Sequence, residues 1–496
     1  MKITHPTRFV RIALSLLLAV GSIHAESAIP EADSTPQSLL RVNSTNQVYE
    51  LFQPWIKKPP FSRRGLGALI DGNRILVTAE LVANSTFIEL EKPTSARKST
   101  ATVERIDYDC NLAVLRPTDP NFLEGMKPLA LNGPLKVGEE ATVLQLEPNG
   151  DIAETSGRIT SISVGGYPSE SGSLLLFKLG APLQQRDGSF TLPAVRDGRL
   201  IGMVMRYDAR NQSADIVPTV VIRHFLAELD SPAYQGFARL GIVFAPLRDP
   251  QLRRYIGLEE PGGIYVTDIA PRGSADMAGI QKGDTILAVD GVPLDQDGNY
   301  EDADYGRILF SHFTNTIKHP GAVVPLKILR NGQVLEIPVT MRVADREQAI
   351  SETHLSEEAP KYVILGGLVF IELSRPYLKE WGGKWASNAP QRLVYYDTFQ
   401  NELPADRGRI IILSQVLPTP DTLGYEDLEN IVVTKVNGQP IKSLTDLSEA
   451  AAKPIDGFQK IEFEEDPKIL FLDAASVQSN AENLKKHYAL PSLERL

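Results

Sequence analysis

Ser189 lies in the stretch Asp187-Gly-Ser-Phe-Thr191, where acyl-transfer chemistry would need a base beside it. A serine hydroxyl is a weak nucleophile near neutral pH. It attacks a carbonyl when one group takes its proton and a third group orients that base. Between Arg41 and Asp230 the only histidine is His224. It falls in a helical stretch, Thr219 to Leu229, and is expected at the surface. Glu80 is a poor substitute, since a carboxylate titrating at about 4.3 holds a proton weakly. Lys178 lies eleven residues before Ser189 and offers a Ser–Lys pair, but reads better as a solvated strand residue. Ser189 itself reads as a turn residue following Asp-Gly. Cys110 is the only cysteine, so no intramolecular disulfide forms, and it is expected to be buried. His312 and His319, seven apart in an expected helix, are the one remote metal-ligand pair. No metal-site spacing, phosphate loop or dinucleotide fingerprint stands out, and no cofactor is expected.

The elements around these residues are short strands. From Gly65 to Tyr207 the chain alternates apolar runs (RILVTAELV, TFIELE, LAVLRP, ATVLQL, GRITSIS, SLLLFKLG, RLIGMVMRY) with the turn dipeptides Asp71-Gly72, Asn149-Gly150, Asp187-Gly188 and Asp197-Gly198. That spacing predicts a barrel or sandwich. The second half holds an internal echo. Gly283-Asp-Thr-Ile-Leu-Ala-Val-Asp-Gly-Val-Pro-Leu294 parallels Asn430-Ile-Val-Val-Thr-Lys-Val-Asn-Gly-Gln-Pro-Ile441. Upstream of each lies a further matching piece, Leu240-Gly-Ile-Val-Phe244 and Gly367-Leu-Val-Phe370. Two related modules are therefore expected, joined by the acidic stretch Glu352 to Pro360.

A chain of 496 residues is too long for one hydrophobic core and points to about three domains. A net charge of −11 argues against nucleic acid or an anionic membrane surface as partner. Lys2, Arg8 and Arg11 precede the apolar stretch Ile12 to Val20, which is too short to span a bilayer. Ile23-His24-Ala25 follows in the manner of a signal-peptidase site, so export with cleavage after Ala25 is expected. No later stretch is apolar enough to cross a membrane as a helix. The segment 26–41 reads as a flexible leader, and the residues after it carry Tyr49, Phe52 and Trp55 on an arm suited to docking on a neighbour.

The first strand-rich segment resembles the HtrA/Deg (Do-like) serine proteases. Gly65-Leu-Gly-Ala-Leu-Ile-Asp71 resembles the family's opening strand, and Val77-Thr-Ala-Glu-Leu-Val82 its V-T-x-x-H-V. Asn111-Leu-Ala-Val-Leu115 is similar to D-[IL]-A-[VL]-[IL], and Asp187-Gly-Ser-Phe-Thr191 stands where the family has G-N-S-G-G. Asp197-Gly-Arg-Leu-Ile-Gly202 keeps the following strand in register. By this resemblance the histidine position falls on Leu81, the aspartate position on Asn111, and the nucleophile position on Ser189. Leu81 accepts no proton and Asn111 carries no charge. Phe190 and Thr191 replace the small residues that shape an oxyanion hole.

Residues 236–342 resemble the family's PDZ domain through Gly263-Ile-Tyr-Val-Thr-Asp-Ile-Ala-Pro271 and Ser274-Ala-Asp-Met-Ala-Gly-Ile-Gln-Lys-Gly-Asp-Thr-Ile-Leu287. The resemblance implies a peptide site at Leu240, Gly241, Ile242, Val243 and Phe244, with Ile242 and Phe244 lining the terminal pocket. Residues 362–473 resemble the divergent C-terminal PDZ of plant-type Do-like proteases. The implied fold is mainly β with some α, a trypsin-like double β-barrel followed by two PDZ-type α+β domains. The implied division is signal peptide 1–25, leader 26–41, degenerate trypsin-like domain 42–232, PDZ domain 233–347, linker 348–361, second PDZ domain 362–480 and tail 481–496. The function expected is that of an exported, periplasmic or secreted pseudoprotease. It would bind peptides, C-termini of envelope proteins or unfolded segments as scaffold, chaperone or regulator. A trimer-based homo-oligomer, or co-assembly with an active homologue, follows from the family. The alternative is an active serine endopeptidase using Ser189 with an unconventional base.

Overall fold

The computed structural model describes residues 35–496 apart from 94, 148–150, 170–171, 185–190, 230, 232–233, 259, 346–348, 354–356 and 405. Two closed six-stranded barrels come first. One is built from β1 (Leu39–Asn46), β2 (Phe61–Ile70), β3 (Arg74–Val77), β4 (Ser85–Glu91), β5 (Lys98–Asp107) and β6 (Leu112–Pro117), in the order β1-β2-β3-β6-β5-β4. The other uses β7 (Glu140–Leu146), β8 (Ile152–Gly166), β9 (Ser173–Gly180), β10 (Leu192–Arg196), β11 (Arg199–Asp208) and β12 (Ser213–Pro218), in the order β10-β11-β12-β9-β8-β7. Closure removes the free edges that strands this short would otherwise expose. A four-residue helix, α1 (Ala79–Val82), sits between β3 and β4, and α2 (Thr219–Leu229) closes the second barrel.

The third unit has a sheet of β13 (Ile242–Pro246), β14 (Ile264–Ile269), β15 (Thr285–Val289), β16 (Val292–Pro293), β19 (Val323–Arg330) and β20 (Gln333–Thr340), with a separate hairpin β17 (Asn299–Asp302) and β18 (Gly306–Leu309). The fourth has β21 (Tyr362–Leu365), β22 (Leu368–Glu372), β23 (Ile411–Val416), β24 (Ile431–Val436), β25 (Gln439–Pro440), β26 (Phe458–Phe463), β27 (Ile469–Asp473) and β28 (Glu494–Arg495). The internal echo is one structure used twice, β15-turn-β16 and β24-turn-β25. Its turn residues sit at positive φ in both copies: Asp290 at 50° and Gly291 at 79°, Asn437 at 48° and Gly438 at 75°. Two successive positive φ values give the hairpin turn whose twist matches its strands, which is why Asp-Gly and Asn-Gly recur there.

Four boundaries and placements differ from expectation. The first barrel begins at Leu39, inside the expected leader, because Leu39 and Leu40 are fully buried and β1 pairs with both β2 and β4. Residues 351–352 belong to the last domain rather than the linker: Ser351 donates to Asp397 at 2.9 Å and the Glu352 carbonyl accepts from Arg375 N–H at 2.8 Å. Residues 481–496 are no tail, since a helix runs Ala474–His487 and β28 pairs with β21. His312 and His319 do not share a helix, because the helical turn runs only over residues 311–317 and His319 lies beyond its end.

The aromatic arm docks within the chain. Phe52 meets Tyr377 and Trp381 edge-on at 5.3 and 5.1 Å, and Trp55 meets Tyr362 at 5.8 Å. Arg495 lies over Tyr49 at 5.1 Å and donates to the Pro54 carbonyl at 2.5 Å. The side chains expected to contact a second subunit thus fasten the first barrel to the last domain. Phe52→Ala is expected to weaken this docking by roughly 2 kcal/mol, less than the roughly 3–5 kcal/mol for a fully buried aromatic because Phe52 is only partly buried. Faster amide exchange in β21 and β22, with the barrels unchanged, is the measurement that checks it.

Candidate functional site

α1 carries Leu81 and Glu80, the residue that the resemblance aligns with the histidine position and its neighbour. Leu81 is wholly buried and packs with Leu40, Val42 and Leu115 in the core of the first barrel. Such a side chain stabilises the barrel and offers no proton acceptor. Asn111 takes the backbone role expected of the aspartate position: its carbonyl accepts from Ala79 N–H and its side-chain oxygen from Glu80 N–H, both at 3.1 Å. Asn111 sits at φ 54°, a left-handed conformation that Asn tolerates better than most residues. Its amide donates to the Glu80 carboxylate at 3.2 Å. Burial raises the Glu80 carboxyl above its ordinary range, opposed by that hydrogen bond and by Arg63, Arg206 and Lys379. Arg63 donates to the Glu80 carbonyl, and its guanidinium is lowered by burial. Glu80, Asn111 and Arg63 therefore form one polar network beside Leu81. Glu80 was legible as the neighbour of the vacated position; Arg63 was not, because it lies on β2.

Ser189 and Phe190 lie outside the described residues. Thr191 is buried and fixed to the first barrel: its hydroxyl accepts from Thr78 N–H at 3.2 Å and its carbonyl from Leu66 N–H at 2.9 Å. Lys178 pairs with Asp215 at 2.8 Å on the second barrel. His224 is not a surface residue. It is buried on α2, stacked between Phe237 at 4.3 Å and His319 at 4.0 Å. Its Nδ1 lies 2.7 Å from the Thr316 carbonyl. The cause is tertiary: the third unit packs over the helix face that bears it. Cys110 is fully buried and its thiol is pushed up by burial, then by Asp107 and Asp109.

The second candidate site is β13. It forms one edge of its sheet, paired with β14 alone. Leu240 is buried, Val243 is exposed, and Ile242 and Phe244 are half-buried, Phe244 against Phe310 at 5.5 Å. The loop before β13 is held by its carbonyls. Gly241 C=O accepts from Ala270 N–H at 2.8 Å, Leu240 C=O from Ala275 N–H at 2.9 Å, and Arg239 C=O from the Ser274 hydroxyl at 2.6 Å. Gly241 has φ 76°, so a side chain there would strain the turn. This fixed loop beside an open strand edge is the geometry that receives an extended peptide as an added strand. Asp284 is buried in the same domain: its carboxylate, 1% exposed, takes two 2.6 Å bonds from Arg330 and one from Gln281 N–H at 2.8 Å.

A PDZ domain model matches residues 238–298, and a second PDZ domain model matches residues 351–494. The chain is 28% identical over 466 residues to Protease Do-like 2, chloroplastic, of Arabidopsis thaliana, covering 92% of this chain and 74% of that protein. It is 27% identical over 467 residues to Protease Do-like 4, mitochondrial, of the same plant, covering 93% and 85%. Among solved structures it is similar to an HtrA-type protease, AlgW with tripeptide, at 19% identity and a TM-score of 0.48, over 64% of this chain and 96% of that one. With two closed barrels followed by two segments that match PDZ domain models, the chain is similar over more than nine-tenths of its length to the Do-like proteases.

Proposed function

We propose that this chain is an exported pseudoprotease that binds peptides or unfolded protein segments through its first PDZ domain, as scaffold, chaperone or regulator in envelope protein quality control. The observation that carries the reading is Leu81, buried as a core residue at the histidine position. The one histidine between residues 41 and 230, His224, is stacked into the joint with the PDZ domain. Peptide binding is supported by the open edge of β13 and the fixed loop at Gly241. The periplasmic or secreted location rests on the N-terminal sequence.

A second reading has one observation behind it. Glu80 is raised by burial, and a raised carboxyl is a better base. The test is casein turnover and fluorophosphonate labelling of the mature chain beside Ser189→Ala and Glu80→Gln. No turnover and no serine-dependent label is the expected result. Turnover lost in both variants would establish an endopeptidase with a carboxylate base.

A further inference from the structure

The Gly241 end of the β13 groove adjoins a cavity between domains. A cavity of about 860 Å³ begins at Gly241 and Ala270–Gly273 and runs between the first PDZ domain, the connecting segment and the second PDZ domain. That volume is within the range of ligand pockets, roughly 300–1,000 Å³. A peptide added antiparallel to β13 runs toward Gly241, so any residues past its apolar anchor would enter this space.

The walls differ in charge. At the PDZ end, Arg342 lies beside the loop, its carbonyl accepting from Arg239 N–H at 2.8 Å. Arg239 is paired with Asp109 at 2.9 Å, and Arg409 with Glu352 at 2.7 Å. The Arg342 guanidinium has no hydrogen-bond or ion partner among the described residues. Across the cavity stand Glu358, Glu372 and Tyr377. An arginine without a partner among the described residues therefore borders the space beyond the Gly241 loop.

We propose that this inter-domain cavity is a subsite for the continuation of a bound polypeptide. By this proposal the first PDZ domain takes internal segments as well as chain ends, and Arg342 selects a carboxylate directly after the apolar anchor. The carboxylate is either the terminal one or an Asp or Glu side chain. The proposal rests on the β13 groove reading above.

The test uses the full mature chain and fluorescence anisotropy with labelled peptides that share one Val-ended sequence. One ends in a free carboxylate, one is amidated, one is extended by four residues starting with Asp, and one by four starting with Lys. The Asp-extended peptide is expected to bind within about threefold of the free acid, and the Lys-extended and amidated peptides about tenfold more weakly, an ordinary loss for one charge-assisted contact. Arg342→Glu is expected to invert the Asp-over-Lys preference. Arg342 is exposed, so the fold should be unaffected, and a matching thermal melt checks that. Loss of both extended peptides with retention of the free acid would mean a blind-ended groove and overturn the proposal, as would an unchanged preference in Arg342→Glu. If no peptide binds, the groove reading itself fails and the subsite with it.

Discussion

Arg330→Ala is expected to destabilise the first PDZ domain by about 3 kcal/mol or more, the cost of leaving a buried carboxylate without its cation. Asp284 has nowhere to relax: its side chain is 1% exposed, and β15 begins at the next residue. Its own backbone is committed as well, since Asp284 C=O accepts from Val266 N–H at 2.8 Å. Arg330 therefore supplies two of the three hydrogen bonds to the carboxylate and all of its opposite charge at contact distance. For a domain of about 100 residues this corresponds to a fall in melting temperature of more than 10 °C. Arg330→Lys is expected to recover only part of it, because an ammonium cannot bridge both oxygens in the same plane. Peptide binding should fall with the fold, since the pair anchors the segment that leads back to the Gly241 loop. Calorimetry resolving the first PDZ transition checks the prediction. An unchanged transition would mean that the Asp284 carboxylate is satisfied by other groups.

What the sequence made legible follows from the range of each interaction. The Gly-Asp of the PDZ motif, the Asp-Gly and Asn-Gly turns and the lack of a histidine between residues 41 and 223 all depend on residues close in sequence, or on the absence of a residue type. Leu81 could be placed because Val77-Thr78 fixes its register on the strand leading into α1. The network around Glu80 was half visible. Asn111 and Glu80 were both singled out, but their hydrogen bond joins positions 31 residues apart and needs the barrel to close. The aromatic arm was misread for the same reason: Phe52 meets Tyr377 across more than 300 residues. Amphipathic patterning says that a side chain seeks cover, not which part of the chain supplies it. His224 is the sharpest case. Its helix has an apolar stripe facing the second barrel, and a second covered face exists only because the PDZ domain packs there.

That joint gives the second large effect, a loss of stability in acid. Two histidines meet between α2 and the turn Phe313–Ile317, and a third, His312, is buried at the start of that turn. His224 and His319 stack at 4.0 Å with 5° between their planes. His319 Nδ1 lies 2.9 Å from Glu228 on the next turn of α2, and His312 packs edge-on to Tyr305 at 5.4 Å. Glu228 and His319 face His224; Asp302 and Asp304 face His312 and oppose its shift. Burial still dominates at both sites. It lowers His224, with His319 adding to the effect, and pushes His312 down to about 4. In the unfolded chain both would protonate near 6.5, so acid favours unfolding. The contribution is fully present above pH 6.5 and is lost as pH falls toward 4. For His312 alone the linkage gives about 2 kcal/mol lost between about pH 7.5 and pH 5. His312→Phe keeps the ring contact with Tyr305 and has no proton to gain. It is expected to remove that part of the pH dependence while leaving stability near pH 7.5 little changed. Urea midpoints at the two pH values, followed by a probe in the first PDZ domain, decide it. A wild-type midpoint that does not move with pH, or a variant that moves as the wild type does, would refute a protonation-sensitive joint. Because the turn Phe313–Ile317 follows Phe310, which packs on Phe244 of the peptide strand, loosening the joint in acid should also weaken peptide binding, and His312→Phe should restore it.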